Sequence, residues 1–544
     1  MNSSVEILDT TLRDGAQGKG ITFSVQDKLA VVKALDELGV SFIEAGNPGS
    51  NPKDMEFFRL AADLKLEHAR LCAFGSTRKK GTPVGEDPLI RSLLEANTEA
   101  VVIFGKSWDL HVTEILRVSL EENLAMIAET VAFLKAQGRL VIYDAEHFFD
   151  GRLANPAYAL ATVKAALDAG ADRIVLCDTN GGTFPDVITE ELKAVIALLP
   201  PTLMDTTPPD PGPSSLLGIH AHNDADMASA NTVAAVKAGC RHVQGTLLGF
   251  GERCGNTSLA VVIPSIELKL GLPCLGEGRL ERISRLSRKV AEIANIAVPD
   301  TMPYIGTHAF SHKAGMHADG ILKTSRSFEH IDPIQVGNDR HFLMSEVGGR
   351  SAIAERAKKI DPSITKEHPV TAALASKLKT LEAEGWQFEG ADASFELLVR
   401  RELGRYQPLF RIEAYRVVSE HPTGETIACS HTWVKVWVDG QYEIAAAEGD
   451  GPVNALDGAL RRALQRFYPE LEQVRLSDYK VRVIDGTAAT AALVRVLIES
   501  TDGRNRWSTV GVSADIIDAS RAALVDSIEY KLIGDIERRF KAYL

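Results

Sequence analysis

Short apolar runs alternate with helix-periodic segments over the first half of the chain, from residue 5 to about residue 270. The runs are nearly continuous in apolar residues, which is typical of strands buried on both faces of a parallel sheet. They begin at Val5, Ser41, Ala69, Ala100, Leu140, Asp172, Leu216 and His242. Eight strand–helix units of this size match a TIM barrel of roughly 250 residues, with a doubly wound sheet as the alternative. The pattern predicts an α/β fold with a (β/α)8 barrel over residues 1–275.

The pattern changes twice beyond the eighth run. Residues 276–385 are irregularly helical and include a Gly- and His-rich segment at 307–322. From about residue 392 the chain becomes β-rich, in the runs FELLVRREL, FRIEAYRVVSE and HTWVKVWVDG. A weak repeat about 60 residues apart predicts two copies of a β-hairpin followed by a Gly-led helix. We expect a mostly helical linker over 276–385 that contributes to the active site, and a C-terminal α/β module over 390–544.

One further segment departs from the barrel pattern. The Pro-rich stretch at 200–215 interrupts the alternation before the seventh run. Proline lacks the backbone N–H that regular structure needs, so this stretch is predicted to be a surface insertion.

Composition excludes several classes of function. A net charge of -13 argues against general nucleic-acid binding, which needs a basic face. The six cysteines are scattered without a CxxC pair, which favours a reducing compartment over a disulfide framework or a thiolate zinc site. No apolar run reaches 18 residues, and the N-terminus has no signal-peptide pattern. We therefore expect a cytoplasmic protein that binds neither nucleic acid nor membrane.

Metal-ligand side chains occur at three of the predicted strand ends. Asp14 follows the first strand, His220 and His222 lie in the seventh, and Asn256 follows the eighth. Catalytic groups of TIM barrels lie at the C-terminal ends of strands, and strand alternation places the two histidines on one face. A lone HxH is more often incidental, and an Asp at a strand end often only caps a helix. The joint placement favours a site for Mn, Co, Mg or Zn with positions open for substrate.

Four motifs carry a resemblance to a known family: LDTTLRDGAQGKGITFS, EAGNPGSNPKDMEFF, HAHND and GFGERCGN. The chain resembles the metal-dependent acyl-CoA Claisen-condensing family, which includes isopropylmalate, homocitrate and citramalate synthases. The segments DGAQGKGITFS, PGSNPKD and DAEHFFDG are most similar to the citramalate synthase branch. This resemblance implies an acyltransferase that condenses acetyl-CoA with pyruvate and hydrolyses the thioester, giving (R)-citramalate for isoleucine synthesis. It also implies that Asp14, His220, His222 and Asn256 hold the metal.

The chemistry assigns roles to five further residues. Arg13, beside a metal ligand, can stabilise the alkoxide that forms on the ketone oxygen, and the Thr179 hydroxyl can hold the substrate carboxylate. Glu146 is the candidate for proton transfer or for orienting a water, and Phe104 can fill the space that a larger oxo acid would need. Each has a structural alternative: an ion pair for Arg13 and Glu146, a helix cap for Thr179 and core packing for Phe104. By resemblance, His317 reaches the active site of the partner subunit as a general base, which implies a homodimer. Its alternative is an ordinary loop histidine, and His308 and His312 are neighbouring candidates for the same role.

Two positions depart from the family pattern. Arg340 lies where some members have an assisting tyrosine, so that role is vacant or filled by the arginine. Asn47 stands where this branch is expected to have a bulky residue, so activity on larger 2-oxo acids stays open.

The C-terminal module resembles an amino-acid-sensing regulatory domain. Glycine-rich turns lead both repeat helices, and helix N-termini can bind a carboxylate. The effector candidates are Gly449, Asp450, Gly451, Gly511, Ser513 and Ala514. If the product is citramalate, isoleucine is the expected inhibitor; the alternative is a plain dimerisation domain.

Three rival functions follow from the same residues. An isopropylmalate or homocitrate synthase would use the same chemistry on a larger oxo acid. A lyase of the barrel superfamily would cleave instead of condensing, and Cys254 in the GERCGN loop fits that reading. The third is a non-catalytic amino-acid sensor, which the intact Arg13, Asp14, His220, His222 and Asn256 set argues against.

Overall fold

The computed structural model describes residues 4–199, 214–312, 315–342, 350–358, 360–420, 429–484, 492–503 and 505–543. The chain divides into two compact units. The first consists of Met1–Phe310 and Ile331–Arg340, and the second of Ser311–His330 and His341–Leu544. Across these described residues, no helix combines the length and apolarity that a membrane crossing requires.

Eight parallel strands close into a barrel in sequence order, as the pattern predicts. The strands are β1 Glu6–Asp9, β2 Phe42–Gly46, β3 Arg70–Ser76, β4 Ala100–Lys106, β5 Leu140–Glu146, β6 Arg173–Asp178, β7 Ser214–Ala221 and β8 Cys240–Gly245. The predicted C-terminal boundary of the insertion, residue 215, is wrong, because β7 already begins at Ser214, which pairs with Cys240 of β8. Residues 200–213 lie outside the described residues.

Within the described residues, ten helices accompany the barrel strands. They are α1 Val25–Leu38, α2 Pro52–Ala61, α3 Pro88–Glu95, α4 Leu120–Ala136, α5 Phe148–Ala154, α6 Pro156–Asp168, α7 Pro185–Ile196, α8 Ala228–Ala238, α9 Leu259–Ser265 and α10 Ile283–Ile293. Local sequence sets their ends: Ser24 and Asp27 form a capping box at the start of α1, and Gly39 ends it in the left-handed region. Proline occupies the first turn of α2, α3, α6 and α7, where its missing N–H is not needed.

The barrel has two apolar layers. One lies between the strands and the surrounding helices and includes Ile7, Ile43, Val101 and Leu176. The other fills the barrel interior and contains Leu8, Phe42, Cys72, Ala100, Val102, Ile142, Val175 and Cys177. Because alternate residues point inward and outward, the interior residues below the mouth form a rigid floor for the strand ends.

The second unit contains three sheets and six helices within the described residues. The helices are α11 Gly315–Lys323, α12 Arg350–Ala357, α13 Pro369–Ala383, α14 Asp392–Glu402, α15 Pro452–Gln465 and α16 Ile516–Tyr543. A short parallel pair joins β9 Ser311–His312 to β10 His341–Phe342. Two antiparallel sheets follow, formed by β11 Arg411–Glu420, β12 Cys429–Val438 and β13 Gln441–Gly449, and by β14 Arg475–Val483, β15 Val494–Thr501 and β16 Arg506–Ser513. Helix α15 packs on the first sheet and α16 on the second.

The structure corrects two predictions for the C-terminal module. The run FELLVRREL is wrong as a strand, because it lies in helix α14. Each repeat contains three antiparallel strands before its helix instead of a two-stranded hairpin. The order of strands and helix is nevertheless the same in both copies, as the internal repeat predicts.

Candidate active site at the barrel mouth

The loop after β1 is folded by short-range hydrogen bonds that begin inside the strand. The Asp9 carboxylate accepts from the backbone N–H of Thr11 at 2.8 Å and from its hydroxyl at 3.0 Å. The Thr11 hydroxyl in turn accepts from the Leu247 N–H at 2.9 Å, which ties the loop to the end of β8. These bonds turn the chain over the barrel mouth and present Arg13 and Asp14 there.

Three predicted metal ligands converge at this mouth. The ligand atoms of Asp14, His220 and His222 all lie within 4.8 Å of one another, and all three residues are buried. His220 Nε2 is 3.8 Å from Asp14 Oδ2, and the two imidazole ring centroids are 5.2 Å apart. This spacing allows one ion to be reached from all three side chains.

Asn256 completes the set from the loop after β8. Its amide nitrogen donates to Asp14 Oδ1 at 2.7 Å and to the Phe250 carbonyl at 2.9 Å. The loop depends on Gly255, whose φ of +90° is in the left-handed region and whose added Cβ would meet the Gly249 carbonyl oxygen at 2.0 Å. Within the described residues, Asn256 Oδ1 and His222 Nδ1 are buried without hydrogen-bond partners. Unpaired buried acceptors of these types fit a bound divalent cation.

The protonation states suit metal ligation. Burial alone would raise the pKa of Asp14, but the charges of Arg13, His220 and His222 and the Asn256 hydrogen bond lower it to about 2. Burial lowers the pKa of His222 to about 4, and the neighbouring His220 acts in the same direction. At neutral pH the carboxylate is therefore charged and the imidazole neutral, which are the ligating forms.

His220 has a second contact below the ligand cluster. Its Nδ1 lies 2.8 Å from Gln244 Oε1, and the Gln244 amide nitrogen donates to Asp144 Oδ1 at 2.9 Å. Gln244 and Asp144 are buried inside the barrel. The two residues therefore extend the site into the barrel interior.

Arg13 is fixed on three sides. Its Nε donates to Glu44 Oε2 at 2.6 Å, and its Nη1 donates to Asp14 Oδ2 at 2.8 Å. Its guanidinium carbon lies 3.7 Å from the centroid of the Phe74 ring. Burial alone would lower the pKa of Arg13, but the charges of Glu44 and Asp14 outweigh that and raise it. The side chain is therefore a permanently charged donor held at the mouth.

A cavity of about 240 Å³ lies between these groups. Its lining residues are Arg13, Asp14, Gln17, Phe74, Phe104, Asp144, Glu146, Cys177, Thr179, His220, His222, Glu252 and Arg253. The structure thus brings together the predicted barrel residues Arg13, Asp14, Phe104, Glu146, Thr179, His220 and His222, with Asn256 bonded to Asp14. Phe104 stacks on Phe74 with ring centroids 5.4 Å apart, so the two rings form one apolar wall.

Glu146 and Thr179 are held in different ways. Glu146 forms an ion pair with Lys106, its register partner on β4. The Thr179 hydroxyl accepts from the His147 N–H at 2.9 Å, and the Thr179 carbonyl accepts from Arg253 Nη2 at 2.8 Å. Since the hydroxyl accepts from the protein, its own proton is left to donate into the cavity.

Two predicted residues lie elsewhere. Among the described residues that line the cavity, Arg340 does not occur; its guanidinium is 4.0 Å from the Asp332 carboxylate. His317 belongs to the second unit, where it is exposed and its ring stacks on Phe328 at 4.1 Å.

The effector candidates lie at the starts of α15 and α16. Gly449 is the last residue of β13, and an added Cβ there would meet Asn454 Oδ1 at 2.4 Å. Gly511 lies within β16, and an added Cβ there would meet the Ala519 carbonyl oxygen at 2.0 Å. The two helix ends differ, because α15 has no side-chain cap whereas Asp515 accepts from the Ile517 N–H at 2.7 Å. The start of α15 is therefore the better place for a carboxylate.

Three polar residues of the site were not predicted from the sequence: Glu44, Asp144 and Gln244. Each lies inside an apolar strand, where a charged or amide side chain is uncommon. Asp144 is two residues before Glu146, so strand alternation alone places both on the same face. The sequence signal that could have identified them is a polar side chain at a strand position that points into the barrel.

Comparison with known proteins follows the same division of the chain. Residues 4–290 match the family model HMGL-like, residues 304–385 match the homocitrate synthase post-HMGL domain-like model, and residues 389–532 match the LeuA allosteric (dimerisation) domain.

Three relatives match nearly the whole chain, and two of them are (R)-citramalate synthases. The chain is 48% identical to the (R)-citramalate synthase of Aquifex aeolicus over 99% of both chains. It is 47% identical to that of Synechocystis, over 97% of this chain and 96% of the relative. Identity is 31% to a probable 2-isopropylmalate synthase of Methanopyrus kandleri, over 97% of this chain and 98% of the relative.

Proposed function

The chain belongs to the HMGL-like family, and within that family we infer that it acts as an (R)-citramalate synthase, like its relatives of 47–48% identity. We propose below the role of each residue in that reaction. The chain is an acyltransferase that joins the acetyl group of acetyl-CoA to pyruvate. The acetyl methyl loses a proton, its carbon bonds to the ketone carbon, and the ketone oxygen becomes a hydroxyl. One water then hydrolyses the thioester, which releases citramalate and the CoA thiol.

The observation that carries the proposal is the cluster of Asp14, His220 and His222 beside a fixed arginine. We assign these three residues and Asn256 as ligands of Mn, Co, Mg or Zn, because two nitrogens and two oxygens leave positions for substrate. A bound divalent ion supplies Lewis-acid polarisation and a template for the oxo acid. The unpaired acceptors on Asn256 and His222 support this assignment.

Two donors are suited to the oxygens of pyruvate. Arg13 is the donor for the developing alkoxide, because a fixed cation in a partly dry cavity stabilises charge as it forms. The Thr179 hydroxyl is the donor for the substrate carboxylate, since its oxygen already accepts from His147. The positions of both side chains are set before substrate enters.

Proton transfer is assigned to Glu146 and His317. Glu146 lines the cavity beside Lys106, so its carboxyl group faces the reacting groups. His317 is exposed on α11, and we assign it as the base that removes the acetyl methyl proton. By the family resemblance it acts in the partner subunit, so the proposal requires a homodimer.

The C-terminal residues 390–544 are proposed to regulate the barrel through amino-acid binding. The uncapped start of α15, at Gly449, Asp450 and Gly451, is the favoured effector site, with Gly511, Ser513 and Ala514 as its repeat counterpart. We expect isoleucine, the end product of a pyruvate-derived route, to inhibit, and leucine to inhibit less. The coupling expected of such an effector is about 1–3 kcal/mol.

The regulatory proposal is tested by titrating the full chain with isoleucine, leucine and valine in a calorimeter and in the activity assay. Isoleucine is expected to bind and inhibit. Absence of both binding and inhibition at millimolar concentration would make the module structural.

The catalytic proposal is tested by following CoA thiol release with acetyl-CoA and a panel of 2-oxo acids. Pyruvate should give the highest kcat/KM, with 2-oxobutyrate lower and 2-oxoisovalerate lowest. A hydrophobic pocket distinguishes one methylene by about 10–200-fold, which sets the scale of the expected differences. A preference for 2-oxoisovalerate would move the assignment to isopropylmalate synthesis.

A further inference from the structure

Gln244 lies directly beside His220 on the neighbouring barrel strand. The two residues are register partners between β7 and β8, and both point into the barrel. Gln244 is fully buried. Neither of its two polar atoms can turn to solvent, so each must find its partner inside the protein.

Both ends of the Gln244 amide are occupied by groups of different kind. The oxygen lies 2.8 Å from His220 Nδ1, and the nitrogen donates to Asp144 Oδ1 at 2.9 Å. Burial raises the pKa of Asp144, which favours a neutral carboxyl group that can either accept or donate. The structure pairs this carboxyl group with the amide nitrogen, which leaves the amide oxygen facing the histidine.

The orientation of the amide fixes the tautomer of His220. An amide oxygen can only accept, so Nδ1 must carry the proton and Nε2 must carry the lone pair. Nε2 is the atom that lies 3.8 Å from Asp14 Oδ2, on the side of the ligand cluster. The reversed amide would donate to Nδ1 and put the proton on Nε2, where it would block ligation.

We propose that Gln244 is a positioning residue that holds His220 in the tautomer and ring orientation needed to bind the divalent cation, with Asp144 bonded to the other end of its amide. This inference rests on the proposed metal site. It assigns a role to a residue that touches neither substrate nor cation.

The test measures metal binding and not only turnover. Metal-stripped wild-type protein, Gln244→Met and Gln244→Glu are titrated with Mn²⁺ in a calorimeter, and the Co²⁺ forms are compared by visible absorption. Methionine has similar length and cannot accept from Nδ1, whereas glutamate can accept. Loss of such a partner of a metal-bound histidine weakens metal binding by about 10–100-fold.

The expected result is Mn²⁺ affinity about 10–100-fold weaker for Gln244→Met, with an altered Co²⁺ spectrum. The Mn²⁺ affinity of Gln244→Glu should be closer to that of the wild type. The exposed control Gln137→Met should bind Mn²⁺ as tightly as the wild type. Equal affinity in wild type and Gln244→Met would overturn the inference, as would equally weak binding by the Met and Glu variants. Absence of Mn²⁺ binding by wild type would instead refute the metal site itself.

Thermal unfolding of each variant separates metal loss from loss of the fold. If Gln244→Met does not retain the wild-type unfolding temperature, Gln244→Leu takes its place, because leucine is smaller and offers no acceptor to His220. Weaker Mn²⁺ binding by Gln244→Leu is expected, and unchanged binding would overturn the inference.

Discussion

Arg13 is held more tightly than an arginine at a surface ion pair, since Glu44, Asp14 and the Phe74 ring fix three sides of its guanidinium. Lysine keeps the charge but loses the planar fork that reaches two carboxylates at once. We therefore predict that Arg13→Lys lowers kcat by about 100-fold or more, the scale of removing one preorganised donor. The measurement is steady-state thiol release at saturating pyruvate.

Metal binding is the control for that variant. Because the lysine leaves Asp14, His220 and His222 unchanged, the Mn²⁺ affinity should fall much less than kcat. A variant with wild-type kcat would remove Arg13 from the reaction.

Phe104 and Phe74 form the apolar wall of the cavity, and the size of that wall should limit the oxo acid. We predict that Phe104→Ala shifts the kcat/KM ratio of 2-oxoisovalerate to pyruvate upward by about 10–200-fold, because it opens space for two more methyl groups. Competition between the two oxo acids in one assay measures that ratio. Phe104→Leu should give a smaller shift in the same direction, and an unchanged ratio in both variants would show that the ring does not determine specificity.

At the residue scale the sequence predicted the outer part of the site better than the inner part. Asp14, His220 and His222 stand at strand ends, where barrel topology alone brings side chains together. Glu44 and Gln244 lie within strands, and they contact Arg13 in the loop after β1 and Asp144 on β5, which are far away in sequence. Strand alternation gives the face of such a residue but not the side chain that it meets across the barrel.

At the element scale, the errors fall where tertiary packing overrides local pattern. The run in α14 contains Phe395, Leu397, Leu398 and Val399, which resembles a buried strand by composition. The helix is supported by an ion pair of Glu396 with Arg400 at 2.8 Å, four residues apart. Conversely, β13 is rich in Ala and Glu, and it forms a strand because it pairs with β12 along its whole length.

Helix α16 contains a carboxyl group whose protonation should affect stability. Glu529 is fully buried and accepts from the Leu409 N–H at 2.9 Å, just before β11. Burial raises its pKa to about 7 from an ordinary value of 4.5, against the lowering effect of its backbone donors. Its stabilising contribution is therefore fully present below about pH 4.5 and is lost as the pH rises through 7, because the unfolded chain ionises first.

We predict that Glu529→Gln is as stable as wild type at pH 5 and more stable at pH 8, because glutamine still accepts from Leu409 without becoming charged. Thermal unfolding of the C-terminal transition at several pH values measures this, at about 2–4 °C for each kcal/mol. Glu420→Gln, an exposed carboxylate on β11, serves as the control. Parallel pH profiles for wild type and Glu529→Gln would contradict the prediction.

At the scale of the whole molecule, two chains are proposed to complete one active site. Arg13 lies at the barrel mouth, and His317 is proposed to act on the partner's substrate. We predict that Arg13→Ala and His317→Ala are each nearly inactive alone and that a mixed population regains part of the activity. With random exchange, one of the two sites in each heterodimer would contain both native residues.

The mixing experiment needs proof of exchange. Differently tagged subunits, purified through both tags, isolate the heterodimer before the assay. Inactivity of that isolated species would show that His317 acts within its own chain or has no role in the reaction.

The central claim is that the cluster at the barrel mouth binds a divalent cation and that the barrel then condenses acetyl-CoA with pyruvate. Carbon NMR of the product formed from acetyl-CoA labelled at the methyl carbon tests both parts in one measurement. Metal-stripped protein should give no citramalate, and added Mn²⁺ should convert the methyl signal into the methylene signal of citramalate. His220→Ala should stay inactive with Mn²⁺, whereas His431→Ala, an exposed histidine on β12, should behave as wild type. Citramalate formed at the full rate by protein shown to be metal-free, or by His220→Ala, would contradict the account.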